Sequence, residues 1–128
     1  MSYQLNHIHV LCSDLENMIR FFTENLEASL VERKKFGGAD GASLNLQGTI
    51  INLRVAQKDE KINADTSRSF YGFHHIGLTV ESIEDAYKEL TAKGFDFFVP
   101  ITDTGKSKIA FFRGPDNITI ELLQPLGQ

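Results

Sequence analysis

Apolar and polar residues along this chain change rhythm several times, and each change marks an element. Residues 5–12 are apolar and β-branched, with a two-residue period that predicts a strand. Ser13-Asp14-Leu15-Glu16 reads as a capping box, with a serine at the cap and a glutamate three residues on. Leu15, Met18, Ile19, Phe22 and Leu26 then fall on one face of a helix. Residues 29–36 predict a second strand, closed by Gly37-Gly38 in a loop running to Gly41. Residues 42–47 alternate, Gly48-Thr49 reads as a turn, and residues 50–56 predict a fourth strand. The unit so described is βαβββ.

Residues 58–69 are polar and charged and read as a linker. The same order of elements then returns. Residues 73–80 predict a strand, and a helix starts near Ser82 with Asp85 at the capping-box position. Ile83, Ala86, Tyr87 and Leu90 form its apolar stripe, and Gly94 suits its C-terminal cap. Residues 95–100, 109–113 and 118–124 predict three further strands, separated by turns at Thr104-Gly105-Lys106 and Gly114-Pro115-Asp116-Asn117.

The two halves also match residue by residue. His7 falls on His75 with a shift of 68, and Ile8 then falls on Ile76, Val10 on Leu78, Leu15 on Ile83 and Phe22 on Leu90. Ile51-Asn52-Leu53 falls on Ile120-Glu121-Leu122 with a shift of 69. Self-similarity of this kind marks a duplicated supersecondary unit. The expected fold is α+β: two tandem βαβββ modules (5–56 and 72–125, joined by a linker at 57–71) within a single domain of 128 residues. The sheets are expected to curve into a cleft or half-barrel, with the helices outside.

Composition adds exclusions. A net charge of −4 with interspersed acids and bases gives no footing for nucleic acid or an anionic membrane. No apolar run approaches the roughly 20 residues of a membrane span, and the first residues lack the pattern of a secretory signal. Cys12 is the only cysteine, so a disulfide frame and a cysteine zinc knuckle are both excluded. The expectation is a cytoplasmic protein that acts on a small molecule.

Strand alternation points to the chemistry. Ile8, Val10 and Cys12 share one face, leaving His7, His9 and Leu11 on the other. Ile51, Leu53 and Val55 leave Asn52 and Arg54 opposite; Ile76, Leu78 and Val80 leave His75; Ile118, Ile120 and Leu122 leave Glu121. The repeat-related positions His7, Asn52, His75 and Glu121 thus all lie on the face away from the helices. Were the modules to join through their sheets, two imidazoles, an amide and a carboxylate would converge. Asn52 has a competing role, to satisfy nearby backbone groups. Arg54 and His9 share that face as candidate substrate contacts; an ion pair for Arg54 and a structural role for His9 are the competing assignments. Asn45 and Ser43 share its parity. His74 has the parity of Ile76 and reads as structural.

Paired modules with a histidine at the start of each, and Gly-Pro-Asp-Asn-Ile-Thr-Ile-Glu-Leu near the end, resemble the vicinal oxygen chelate superfamily. Glyoxalase I, methylmalonyl-CoA epimerase, extradiol dioxygenases, fosfomycin-resistance transferases and bleomycin-resistance proteins are among its members. The resemblance implies one divalent metal ion (Fe, Mn, Co, Ni or Zn) held by His7, Asn52, His75 and Glu121. It also implies a small substrate with vicinal oxygens and a homodimer. The implied activity is that of a lyase or isomerase of the glyoxalase or epimerase type, in which the metal stabilises an enediolate beside a carbonyl and Glu121 takes the α-proton. Asn52 stands where glyoxalase I carries a glutamate and the epimerase a glutamine. Without it, His7, His75 and Glu121 form a 2-His-1-carboxylate triad that suits a dioxygenase or a fosfomycin-type thiol transferase. A non-catalytic antibiotic-binding protein is the third alternative. Leu11 stands where the glutathione-binding arginine of glyoxalase I would fall.

Overall fold

The structure is a computed structural model and describes residues 1–127. It divides into two compact units, Met1–Ala64 and Asp65–Gln128, with the boundary inside the polar stretch read as a linker. Each unit is a βαβββ module with one four-stranded sheet.

Unit 1 comprises β1 (His7–Leu11), α1 (Leu15–Arg20), β2 (Ser29–Phe36), β3 (Ala39–Leu46) and β4 (Thr49–Arg54). Its strands lie in the order β1-β4-β3-β2, with β1 parallel to β4 and the other pairs antiparallel. The helix starts one residue later than the capping box predicts. Asp14 is the cap: its carboxylate accepts the Asn17 N–H at 3.0 Å. Glu16 instead forms a two-pronged ion pair with Arg33 of β2. A carboxylate at the cap also meets the positive end of the helix dipole, which a serine hydroxyl does not. α1 runs on into a π-helical turn, Phe21–Asn25, which buries Phe21 and Phe22 side by side. Met18, Ile19 and Phe22 are buried as the stripe requires, and α1 packs on β3 and β4, whose Ala42, Leu44, Ile51 and Leu53 are almost fully inaccessible. Gly37-Gly38 forms a tight turn, and β3 begins directly after it, so the loop expected as far as Gly41 does not exist. Both glycines have positive φ, a conformation nearly closed to other residues.

Unit 2 comprises β5 (Ile76–Thr79), α2 (Ile83–Ala92), β6 (Phe97–Asp103), β7 (Ser107–Arg113) and β8 (Thr119–Pro125). The sheet order is β5-β8-β7-β6, the same as in unit 1. Ser82 caps α2 by accepting the Asp85 N–H at 3.2 Å. Gly94, at φ +98°, closes it: the Gly94 N–H reaches the Thr91 carbonyl and the Phe95 N–H reaches that of Leu90. The duplication is visible in the strand register. Ile8 pairs with Ile51 in unit 1 and Ile76 with Ile120 in unit 2, the two offsets already present in the sequence.

Several strand boundaries differ from expectation, those of three strands in unit 2 by two residues or more at one end or both. β5 starts at Ile76, so Phe73, His74 and His75 precede the strand. β6 runs three residues past Pro100, and β7 begins two residues before Ile109. Both β2 and β6 are sheet edges and both carry irregular pairing, β2 between Leu30 and Glu32 and β6 on either side of Val99. An edge strand tolerates the missing N–H of Pro100, which falls in the stretch between Val99 and Thr102 where the pairing with β7 is broken.

Candidate metal centre

Each sheet has one face under its helix and one face away from it, and the repeat-related polar residues lie on the second. Glu121 pairs with Gly77 in register, and His75 stands two residues ahead of Gly77. His75 therefore meets Glu121 on the diagonal, with Nε2 3.0 Å from Oε1. Both side chains are largely sheltered, at 30% and 16% exposed. The other imidazole nitrogen of His75, Nδ1, lies 2.8 Å from Nδ1 of His74. His74 is exposed and is not under the helix, because the alternation rule stops where β5 begins. One ring donates in that contact and the other accepts, so the tautomers of the two histidines are coupled. Phe111, the register partner of Glu121, presents its ring edge-on to His75 at 5.2 Å between centroids.

Unit 1 holds the same diagonal with different contents. Asn52 pairs with His9, and His7 stands two residues ahead of His9. His7 is exposed and its Nδ1 meets Asn6 Oδ1 at 2.8 Å. The Asn52 amide oxygen accepts the Ser43 hydroxyl at 2.5 Å. Ser43 and Asn52 are register partners and, among the described residues, the only buried polar side chains. The hydroxyl offsets the desolvation of the buried amide oxygen, and one of its two lone pairs remains.

His9 occupies the place that Gly77 leaves empty in unit 2. Its ring packs edge-on against Phe36 at 4.7 Å, although β1 and β2 are the outer strands of a four-stranded sheet. Flat strands at those positions would be about 14 Å apart, so the sheet is curled and its open face is concave. Gly41 permits this: the Phe36 ring lies where a Gly41 side chain would be. Burial, then the charges of Arg54, His7 and Lys34, push the His9 imidazole below its ordinary value and favour the neutral ring. Lys34 Nζ sits 5.1 Å from the centre of the Phe36 ring. Arg54 is engaged, making a two-pronged ion pair with Glu60.

Within either unit, among the described residues, no three His, Cys, Asp or Glu side chains stand close enough to hold a metal ion. The pair in unit 2 nonetheless fits one by its chemistry. An imidazole nitrogen and a carboxylate oxygen aimed at each other are donors that borderline divalent ions accept. The Nδ1 contact with His74 orients the His75 ring, as a partner behind a metal-ligating histidine does. Phe36, Gly41, His74 and Glu60 were not singled out from sequence as parts of this surface. Only Gly41 carried a signal, an isolated glycine beside a strand pattern.

The description "Glyoxalase/Bleomycin resistance protein/Dioxygenase superfamily" matches residues 4–122. The chain is 31% identical to a lactoylglutathione lyase from Schizosaccharomyces pombe over 95% of its own length and 47% of that protein, so it spans about half of this curated relative. Among solved structures it resembles a glyoxalase family protein from Bacillus cereus, with a TM-score of 0.82, 20% identity and coverage of 99% and 97% of the two chains. It also resembles the fosfomycin resistance protein FosX from Listeria monocytogenes, with a TM-score of 0.77, 18% identity and coverage of 98% and 96%. These two likenesses establish the fold, and the match over residues 4–122 establishes the family. The chain, with its duplicated βαβββ architecture, is thus a member of the glyoxalase/bleomycin resistance protein/dioxygenase superfamily.

Proposed function

We propose that the protein is a divalent-metal-dependent lyase or isomerase of the glyoxalase or epimerase type, working as a cytoplasmic homodimer on a small substrate with vicinal oxygens. His7, Asn52, His75 and Glu121 would hold the ion. The observation that carries the reading is the His75–Glu121 pair at 3.0 Å, with His74 behind it. Members of this superfamily use divalent metals, and one FosX variant has been solved with Mn(II). When bound, such an ion polarises a carbonyl and stabilises the negative charge that develops as the adjacent proton leaves.

The chain's own groups supply the remaining roles. Glu121 accepts the proton at its carboxylate, sheltered enough to avoid full hydration yet accessible to a ligand. His9, held neutral against Phe36, presents an uncharged imidazole to the substrate. Phe111, edge-on to His75, limits water on that side of the ring in unit 2.

One observation favours a second reading. Ser43 already donates to the Asn52 amide oxygen. With Asn52 withdrawn from the ion, His7, His75 and Glu121 remain as a 2-His-1-carboxylate set, which suits a dioxygenase or a fosfomycin-type thiol transferase. Elemental analysis of protein purified without a metal-affinity tag tests both. Near-stoichiometric divalent metal, lost in His7→Ala and Glu121→Ala, is expected. Asn52→Ala weakens metal affinity under the first reading and leaves it intact under the second. Protein that takes up no divalent ion would refute both.

A further inference from the structure

Arg54 lies on the concave face of the unit 1 sheet, in register with Leu11 of β1 and Gly41 of β3. Its guanidinium grips Glu60 with both prongs, Nη1 to Oε1 at 2.6 Å and Nη2 to Oε2 at 2.8 Å. The Gln57 backbone N–H donates to the same Oε1 at 3.0 Å. Three donors thus surround one carboxylate. That carboxylate belongs to the exposed segment that leaves β4, held by the Val55 N–H on the Asp40 carbonyl, by Arg54 Nη1 on the Val55 carbonyl, by a turn from the Glu60 N–H to the Gln57 carbonyl and by the Gln57 side chain on the Phe36 carbonyl.

The surroundings are cationic. Arg54 and Lys34 both lie within electrostatic reach of His9. Alternation along β2 adds a single acid, Glu32, to this face. Among the described residues the pair is also more sheltered than the other lysine and arginine ion pairs, with Arg54 20% and Glu60 29% exposed. The similarly two-pronged Arg33–Glu16 pair is more than half exposed on both sides.

A planar fork, an aligned backbone N–H and a nearby ammonium make a receptor for a planar or tetrahedral oxyanion. We propose that Arg54, with the Gln57 N–H and Lys34, binds the carboxylate or phosphoryl-type group of a small ligand, and that Glu60 is the internal occupant which that ligand displaces. Glu60 acts as a threshold, because a tethered carboxylate competes at the millimolar effective concentration typical of a short linker. A ligand must exceed that level or bring further contacts, so simple anions are rejected and a substrate anchored elsewhere is admitted. The proposal deepens the reading above by giving its substrate an anionic group. It rests on that reading only in taking the ligand to be the substrate, and its test uses chelator-treated protein so that failure of the metal assignment leaves it intact.

The test is NMR of the full chain, following the Arg54 Nε–H signal (assigned through Arg54→Lys) during titration with inorganic phosphate and, separately, acetate. Removing the competitor in Glu60→Gln is expected to tighten binding of at least one of the two by roughly tenfold or more. Combining it with Arg54→Lys, where binding is followed at the Gln57 amide instead, should abolish the gain. A gain confined to phosphate assigns a phosphoryl-type group, and one confined to acetate a carboxylate. Should Glu60→Gln fold poorly, the unaltered protein still decides: at high anion concentration the Arg54 signal moves and that of Arg33 does not. Equal affinities with and without Glu60, a gain that survives Arg54→Lys, or equal movement of Arg33 and Arg54 would overturn the proposal.

Discussion

Replacing Gly41 with alanine is the sharpest single test of the curled sheet. A Cβ at Gly41 would run into the Leu53 carbonyl oxygen and would sit 2.5 and 2.7 Å from two carbons of the Phe36 ring. The two obstacles differ in kind. The ring can swing away, giving up its edge-on contact with His9 at 4.7 Å, which is worth about 0.5–1.5 kcal/mol for an aromatic pair. The carbonyl belongs to β4, locked by its pairing with both β1 and β3. Forcing a methyl into such a site costs about 1–3 kcal/mol. Against this stands about 0.4–1 kcal/mol gained by restricting the unfolded chain. The net expectation is a loss of about 1–2 kcal/mol. With a urea dependence of about 1.5 kcal/mol per molar, the midpoint should fall by about 1 M. Far-UV circular dichroism is the suitable probe, because the chain has no tryptophan. In a Phe36→Ala background most of the penalty should persist, since the carbonyl remains. A midpoint that stays put or rises on Gly41→Ala, or a penalty that vanishes without the ring, would refute the close approach.

Other expectations follow from single contacts. Asp14→Ala removes the cap on α1 and should cost about 1 kcal/mol, with Asp14→Ser recovering most of it, as read by thermal or urea unfolding. The Arg54 guanidinium, then the Gln57 N–H, pull the Glu60 carboxyl from 4.5 down to about 2. The folded state thus binds that proton less readily than the unfolded chain, so the contribution is whole above pH 4.5 and is lost as the pH falls towards 2. Glu60→Gln should therefore flatten the acid limb of the stability curve in that window; an unaltered slope counts against the pair. Phe22→Ala, in the sealed core under α1, should cost about 3–5 kcal/mol; a loss under 1 kcal/mol would mean that the ring is not part of that core.

The duplication was legible because it is written in core positions. Ile8 and Ile76, or Ile51 and Ile120, must pack under a helix in each half, and their identity survives where surface residues drift. The same two-residue rhythm put Asn52, His9, Arg54 and Glu121 on the open face. It failed for His74, where the strand had not begun, and the capping box misplaced the α1 cap by one residue, because two adjacent residues both have capping side chains. The contacts of His9 with Phe36 and of Arg54 with Glu60 were out of reach for another reason. The first depends on how far a sheet curls between its outer strands, and the second on the path of a segment with no periodic pattern. Neither quantity is encoded in any local spacing.

The outer strands of the two modules bear on how the chain behaves in a crowded solution. β2 is eight residues long, with Leu30 and Val31 outward, and such a border invites pairing with another chain. The four consecutive charged residues Glu32-Arg33-Lys34-Lys35 guard it by repulsion and hydration, a protection that weakens at high ionic strength. β6 is guarded by geometry, through Pro100 and its broken pairing, and salt does not touch that safeguard. Self-association promoted by salt should therefore begin at the first module and spare the second.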